Sequence, residues 1–303
     1  MRPTLRLLLP LTVVLSVAAC QRTEDEVHPS EKRVVILFTT DEHSQLFASA
    51  PELDDFILMQ TPALPKSGNL LGGVARRMTV LEAQRSAAAA RGVATLTLSS
   101  GDFSQGSLAS AAWLATSPEL AAMSLMGYDA VALGNHEFDL GPKALAQAIS
   151  KATSLADGTT PQRPPLVLSN INFDDTANPG ADADDALKAM YGPATCPALG
   201  TGVTCPVAPY RILTTSNGLR IGIVASMGVG AGTVAGSAPP VTFWDPAPAG
   251  TPPSQVQTAN FLSVAAKVHA AVTASPPQGG DAVILLGHAG SATRASAAGE
   301  DEQ

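Results

Sequence analysis

The chain has 303 residues, 45% of them hydrophobic and 15% charged, with 18 Lys and Arg against 26 Asp and Glu for a net charge of −8. This is too apolar and too sparsely charged for a disordered chain, so most of it buries a core, in one large or two ordinary domains. The acidic balance argues against a nucleic-acid polymer as partner, because neutralising a phosphate backbone takes clustered Lys and Arg.

In chain order, Arg2 and Arg6 precede the apolar run Leu7 to Ala19. The run is shorter than the roughly 20 residues a spanning helix needs and reads as a secretory signal. It ends in Val17-Ala18-Ala19-Cys20, which resembles a bacterial lipobox whose Cys thiol takes the lipid; an ordinary cleaved signal is the alternative. The expected organisation is a signal peptide over 1–19, a polar tether over 20–32 containing a solvated His28, and a folded domain over 33–303. The implied location is exported, in a bacterial cell envelope, with Cys20 as the lipid attachment point.

From Arg33 onward apolar strands alternate with helical stretches. Val34 to Thr40 is β-branched and apolar, as a strand buried on both faces should be. Gly72 to Arg91 is rich in helix formers and puts Val74, Met78 and Leu81 on one face. A strand is expected over Val93 to Ser100, a helix over Leu108 to Met126 and a short strand over Asp129 to Leu133. Pro142 opens a helix that runs to Ala152, and a strand follows over Leu166 to Ser169.

Asp174 to Pro209 reads as a long surface excursion. It holds Cys196 and Cys205, nine positions apart in a Pro/Gly-rich loop, and export would permit them to form a disulfide. A zinc site there lacks partner ligands. Tyr210 to Thr215 and Leu219 to Ala225 bracket Ser216-Asn217-Gly218 and predict a β-hairpin. A loop over Gly228 to Pro253, a helix over Gln255 to Ala274 and an apolar strand over Asp281 to Gly287 complete an α/β layered pattern.

The sharpest polar residues stand just after the strands: Asp41-Glu42-His43, then Gly101-Asp102, then Gly134-Asn135-His136-Glu137-Phe138-Asp139, then Gly287-His288. Ligands of α/β sheets bind beyond the carboxyl ends of strands, so these residues should share one rim. Carboxylate, amide oxygen and imidazole without thiolate suit Mn, Zn, Fe, Co or Mg, and two such ions clamp a phosphoryl centre.

In this order the segments resemble the successive motifs D-x-H, G-D, G-N-H-E and (S/G)-H of the calcineurin-like metallophosphoesterases. ILFTTDEHSQL, GGVARR, SSGDFSQGS, GYDAVALGNHEFDLG, LVLSNINF, LRIGIVASMG and VILLGHAG resemble the 5′-nucleotidase branch, which includes bifunctional 5′-nucleotidase and nucleotide-sugar hydrolases, over about Val34 to Gly290. The resemblance implies a layered sandwich of two mixed β-sheets flanked by helices, with two divalent metal ions at the strand ends. It implies Asp41 and His43 on one metal, Asp102 bridging, and Asn135 and His288 on the other. His136 would contact the transferring phosphoryl group, oriented by Asp139. Arg76 is placed either near the site or as a surface charge of its helix, Glu42 and Glu137 behind the site or in solvent, and Phe103 and Phe138 in the packing.

The implied activity is hydrolysis of phosphate esters of nucleotides by a metal-activated water. The alternatives are a cyclic-nucleotide phosphodiesterase, a nucleotide-sugar or sulfur-compound hydrolase of the same fold, or a non-catalytic surface lipoprotein. The family's last strand, ending in G-H-x-H or G-H-x-Q, has no counterpart after His288, and neither has its second domain. The chain is accordingly expected to be the front part of a longer protein, with its last strands missing and an incomplete set of metal ligands.

Overall fold

In this computed structural model residues 32–49, 70–152, 163–174, 183–192, 205–228, 231–243, 262, 265–266 and 282–289 are described. Among the described residues eight strands form two sheets. The first runs β1 (Val34–Thr39), β2 (Ala94–Ser99), β3 (Ala130–Ala132), β4 (Leu166–Val167) and β5 (Val207–Ala208), and every pairing in it is parallel. The second is mixed: β6 (Tyr210–Thr214) and β7 (Arg220–Met227) make the expected antiparallel hairpin, and β8 (Ala282–His288) adds in parallel to β7.

Period-2 alternation assigns each strand residue to a layer. Val131 and Leu133 face the helices and pack with Trp113, Leu120, Met123, Leu145 and Ile149. Leu96, Leu98, Ala130 and Ala132 point the other way and meet Ile221, Ile223, Ala225 and Leu286 of the second sheet. At β1 this second layer thins out, leaving Ile36 and Phe38 44% and 54% exposed.

Helix α1 (Val74–Ala89) starts after Gly73, whose φ of 82° and a Cβ that would lie 2.7 Å from the Ala48 nitrogen both require glycine. Its inner face is the expected one, with Leu81 buried and Val74 and Met78 packed on the core. The single helix expected over Leu108 to Met126 is instead three pieces: a 3₁₀ turn at Leu108–Ala112, α2 (Trp113–Thr116) and α3 (Pro118–Leu125). Pro118 lacks the N–H that would continue the ladder, and Ser117 before it turns left-handed at φ 47°, which breaks the axis. Helix α4 (Pro142–Lys151) opens on its proline and buries Leu145, Ala146, Ala148 and Ile149.

The stretch read as a surface excursion contains two regular elements, α5 (Asp185–Lys188) and β5. Leu187 is buried and β5 extends the parallel sheet, so tertiary contacts supply order that the Asp/Gly/Pro-rich composition hides. The loop after β7 likewise contains α6 (Ala231–Val234). Residues 262, 265 and 266 are helical, and the rest of the helix expected there lies outside the described residues. Cys205 is a buried free cysteine among the described residues; Cys196, its expected partner, and Cys20 lie outside them. Among the described residues no helix is long and apolar enough to cross a membrane.

Candidate metal centre

The turn after β1 is held against the turn after β2 by three backbone bonds: Asp41 N to Gly101 O at 3.0 Å, His43 N to Asp102 O at 2.9 Å and Ser44 N to Phe103 O at 3.0 Å. This pairing forces Asp41, His43, Ser44 and Asp102 to φ of 53°, 45°, 53° and 54°. Left-handed backbone costs a non-glycine residue about 1 kcal/mol or more, and it clusters where a site needs it. The turn after β3 closes in with equal tightness. A Cβ on Gly134 would lie 2.1 Å from Asp102 Oδ1, so glycine is what lets the Asp102 carboxylate lie over that backbone.

Asp41, His43, Asp102, Asn135, His136 and His288 converge at this rim. One group that could hold an ion is Asp41, Asp102 and His288; a second is His43, Asp102 and His136, with the ligand atoms of each group within 4.8 Å of one another. Asp102 belongs to both. His288 Nε2 lies 3.0 Å from Asp102 Oδ2 and 2.9 Å from Asn135 Oδ1. Asp102 Oδ1 accepts the His136 backbone N–H at 2.9 Å. His136 Nδ1 donates to Asp139 Oδ2 at 2.6 Å, and the His43 and His136 rings meet edge to face at 5.0 Å. The donor set of carboxylate and amide oxygens with imidazole nitrogen, centred on one shared carboxylate, fits two hard or borderline divalent cations.

Burial pulls the Asp102 pKa up, but the hydrogen bond and charge of His288 outweigh it and hold the carboxyl below its ordinary range. Burial pulls His288 down, and Asp102 with Glu137 and Asp41 more than reverses this. Asp102 and His288 thus form an ion pair that replaces, electrostatically, part of what a cation would do.

Two glutamates next to the ligands are buried, which rules out a solvated role for either. Glu42 accepts from Ser99 Oγ at 3.2 Å and from Thr39 Oγ1, and faces Arg77 at 3.6 Å. Because Thr39 gives its proton to Glu42, the Tyr128 hydroxyl donates to Thr39, at 2.8 Å. Arg77 is therefore the arginine of GGVARR that reaches this network, while Arg76 is exposed and bonds Gly72 O. Helical spacing separates the two neighbours: Arg77, three after Val74 and four before Leu81, borders the buried face, and Arg76 lies on the opposite side. Glu137 accepts from the Asp102, Ser104 and Gly134 backbone nitrogens, and burial, then the Asp102 charge, pushes it up to about 7. Phe103 packs on Trp113 and Phe138 on Phe243, as expected.

The fold is that of the metallophosphoesterases. In fold the chain is similar to sulfate thiohydrolase SoxB of Thermus thermophilus (TM-score 0.51, 16% identity, 88% of this chain and 45% of that one). It is similar also to the NAD nucleotidase NadN of Haemophilus influenzae (TM-score 0.50, 22% identity, 84% and 34%). In sequence it is 30% identical over 137 residues to the 5′-nucleotidase of Vibrio cholerae, across 45% of this chain and 21% of that protein. The match spans about a fifth of that relative's length. No family model matches. In sequence and fold the chain resembles the N-terminal domain of the 5′-nucleotidase branch of the calcineurin-like metallophosphoesterases.

Proposed function

We propose that this domain hydrolyses phosphate esters of nucleotides at a centre of two divalent ions. The observation that carries the reading is Asp102 shared by two ligand groups, with His136 beside it and fixed by Asp139. Asp41, His43, Asp102, Asn135 and His288 would hold the ions, which supply positive charge at the phosphoryl centre and lower the pKa of water there. His136 donates from Nε2 to a phosphoryl oxygen as charge develops on it, and Asp139 keeps the ring turned that way. The burial of Asp102 and Asn135 behind the rim limits competing water.

The test uses the purified chain with Mn²⁺ or Zn²⁺, and phosphate release from AMP, cyclic AMP and a UDP-sugar. AMP should be the preferred substrate; preference for either of the others assigns the cyclic-phosphodiesterase or nucleotide-sugar alternative. His136→Asn should lower turnover at least about a hundredfold while leaving bound metal unchanged. A protein that binds metal but turns over none of these esters favours the surface-lipoprotein alternative. The envelope location and lipid on Cys20 are part of the same reading. Fatty-acid labelling in a bacterial host, lost in Cys20→Ser, tests them.

A further inference from the structure

We infer that Glu137 is a positioning residue that holds the shared ligand Asp102 in its left-handed conformation. The inference rests on the two-ion reading above. The Glu137 carboxylate is 2% exposed and accepts four hydrogen bonds from two different strand ends. Oε2 takes the Asp102 N–H at 2.9 Å and the Gly134 N–H at 2.7 Å; Oε1 takes the Ser104 N–H at 2.9 Å and the Ser104 hydroxyl at 2.8 Å. All four partners are donors, so a carboxylate satisfies them and a side chain with a donor of its own does not.

The consequence falls on Asp102. Its φ is 54°, a left-handed conformation that costs an aspartate free energy, and its backbone is gripped at both ends. Glu137 takes its N–H, and its carbonyl accepts from His43 N at 2.9 Å. Gly134, the other group on Oε2, is the residue against which the Asp102 carboxylate lies, so one oxygen sets both the ligand and the surface beneath it. Asn135 and His136 follow directly in the chain, and the His136 N–H closes the circle onto Asp102 Oδ1 at 2.9 Å. Removing the carboxylate releases the alignment of the turns after β2 and β3 without touching a ligand side chain.

The test compares the parent chain with Glu137→Gln, Glu137→Asp and Ser104→Ala by Mn²⁺ titration calorimetry, metal-free thermal melting, and kcat and KM for AMP. In Glu137→Gln the amide N–H₂ opposes a backbone N–H. The Mn²⁺ Kd should rise about tenfold or more, the usual effect of losing a group that orients a metal ligand. Assayed well below the metal-free melting transition of both chains, where unfolding does not contribute, turnover should fall at limiting Mn²⁺ and recover in part at saturating Mn²⁺. Ser104→Ala removes one hydroxyl and leaves three N–H bonds, so its Kd should stay within about twofold of the parent's.

Parental Mn²⁺ affinity in Glu137→Gln, with or without a lower melting temperature, overturns the inference. If that variant does not fold, Glu137→Asp decides in its place: its shorter arm cannot span both turns, and a parental Kd there overturns the inference too. A parent chain that binds no Mn²⁺ overturns the two-ion reading, and this inference with it. A parent that binds Mn²⁺ beside variants that bind equally well overturns this inference alone.

Discussion

His288 Nε2 sits 3.0 Å from Asp102 Oδ2, joining the end of the second sheet to the turn after β2 in the first. The same nitrogen is 2.9 Å from Asn135 Oδ1, across 153 residues of sequence. In the metal-free protein this contact is an ion pair, and linkage sets its pH window. Asp102 is lowered from 3.8, so its share of stability is present above that value and is lost as pH falls through the folded pKa. His288 is raised from 6.5, so its share is complete below that value and is lost as pH rises through the folded pKa. With chelator present, the melting-temperature gap between the parent and His288→Ala should therefore be widest between these two values and should narrow on both sides. A gap that keeps widening above pH 8 would contradict the pairing. In the same variant the Mn²⁺ Kd should rise about tenfold or more.

Asp139 holds His136 through one 2.6 Å contact. Asp139→Asn keeps an acceptor but loses the charge, and its amide can turn its donor toward Nδ1. Turnover of AMP should drop about ten- to a hundredfold, with Mn²⁺ stoichiometry unchanged. Undiminished kcat would remove Asp139 from the orienting role.

Gly134→Ala places a methyl 2.1 Å from Asp102 Oδ1 and 2.5 Å from its backbone nitrogen, and neither atom has a soft direction to move. The expected cost is about 1–3 kcal/mol of stability, read by urea denaturation, together with weaker Mn²⁺ binding. Parental values for both would mean that the turn adapts, against the tight packing of the two backbones.

Glu119 is 2% exposed; Oε1 accepts from Ser44 Oγ at 2.6 Å, and Oε2 has no hydrogen-bond partner among the described residues. It lines a small cavity with Glu42 and Arg77, and burial raises its pKa from 4.5. A folded-state pKa above the unfolded one means that ionisation opposes folding, increasingly as pH rises from 4.5 through the folded value. Glu119→Gln keeps the acceptor for Ser44 and carries no charge. Its melting temperature relative to the parent should climb between pH 4 and pH 7, and a pH-independent difference would refute the assignment.

Much of the first sheet can be read from the sequence, because β1, β2 and β3 are short apolar runs whose order and parallel pairing follow from the helices between them. The rim follows as well: strand ends carry Asp41, His43, Asp102, Asn135 and His288, and an α/β sheet puts strand ends together. The helix expected over Leu108 to Met126 carries its own breaker, which the reading passed over: a left-handed Ser117 before Pro118 divides it. Strand β5 has no turn or period signal around it and exists because β4 offers it an edge.

By itself the sequence determined the types of polar residue at the strand ends, their order and the strands that carry them, since these depend on local chemistry and on period. Only the tertiary structure decided which polar neighbours turn inward. Glu137 becomes a buried staple for Asp102, because the docking of three turns decides which side chains find donors. A run of residues encodes its own backbone preference, but a buried carboxylate is placed by groups far along the chain that must give up water to meet it.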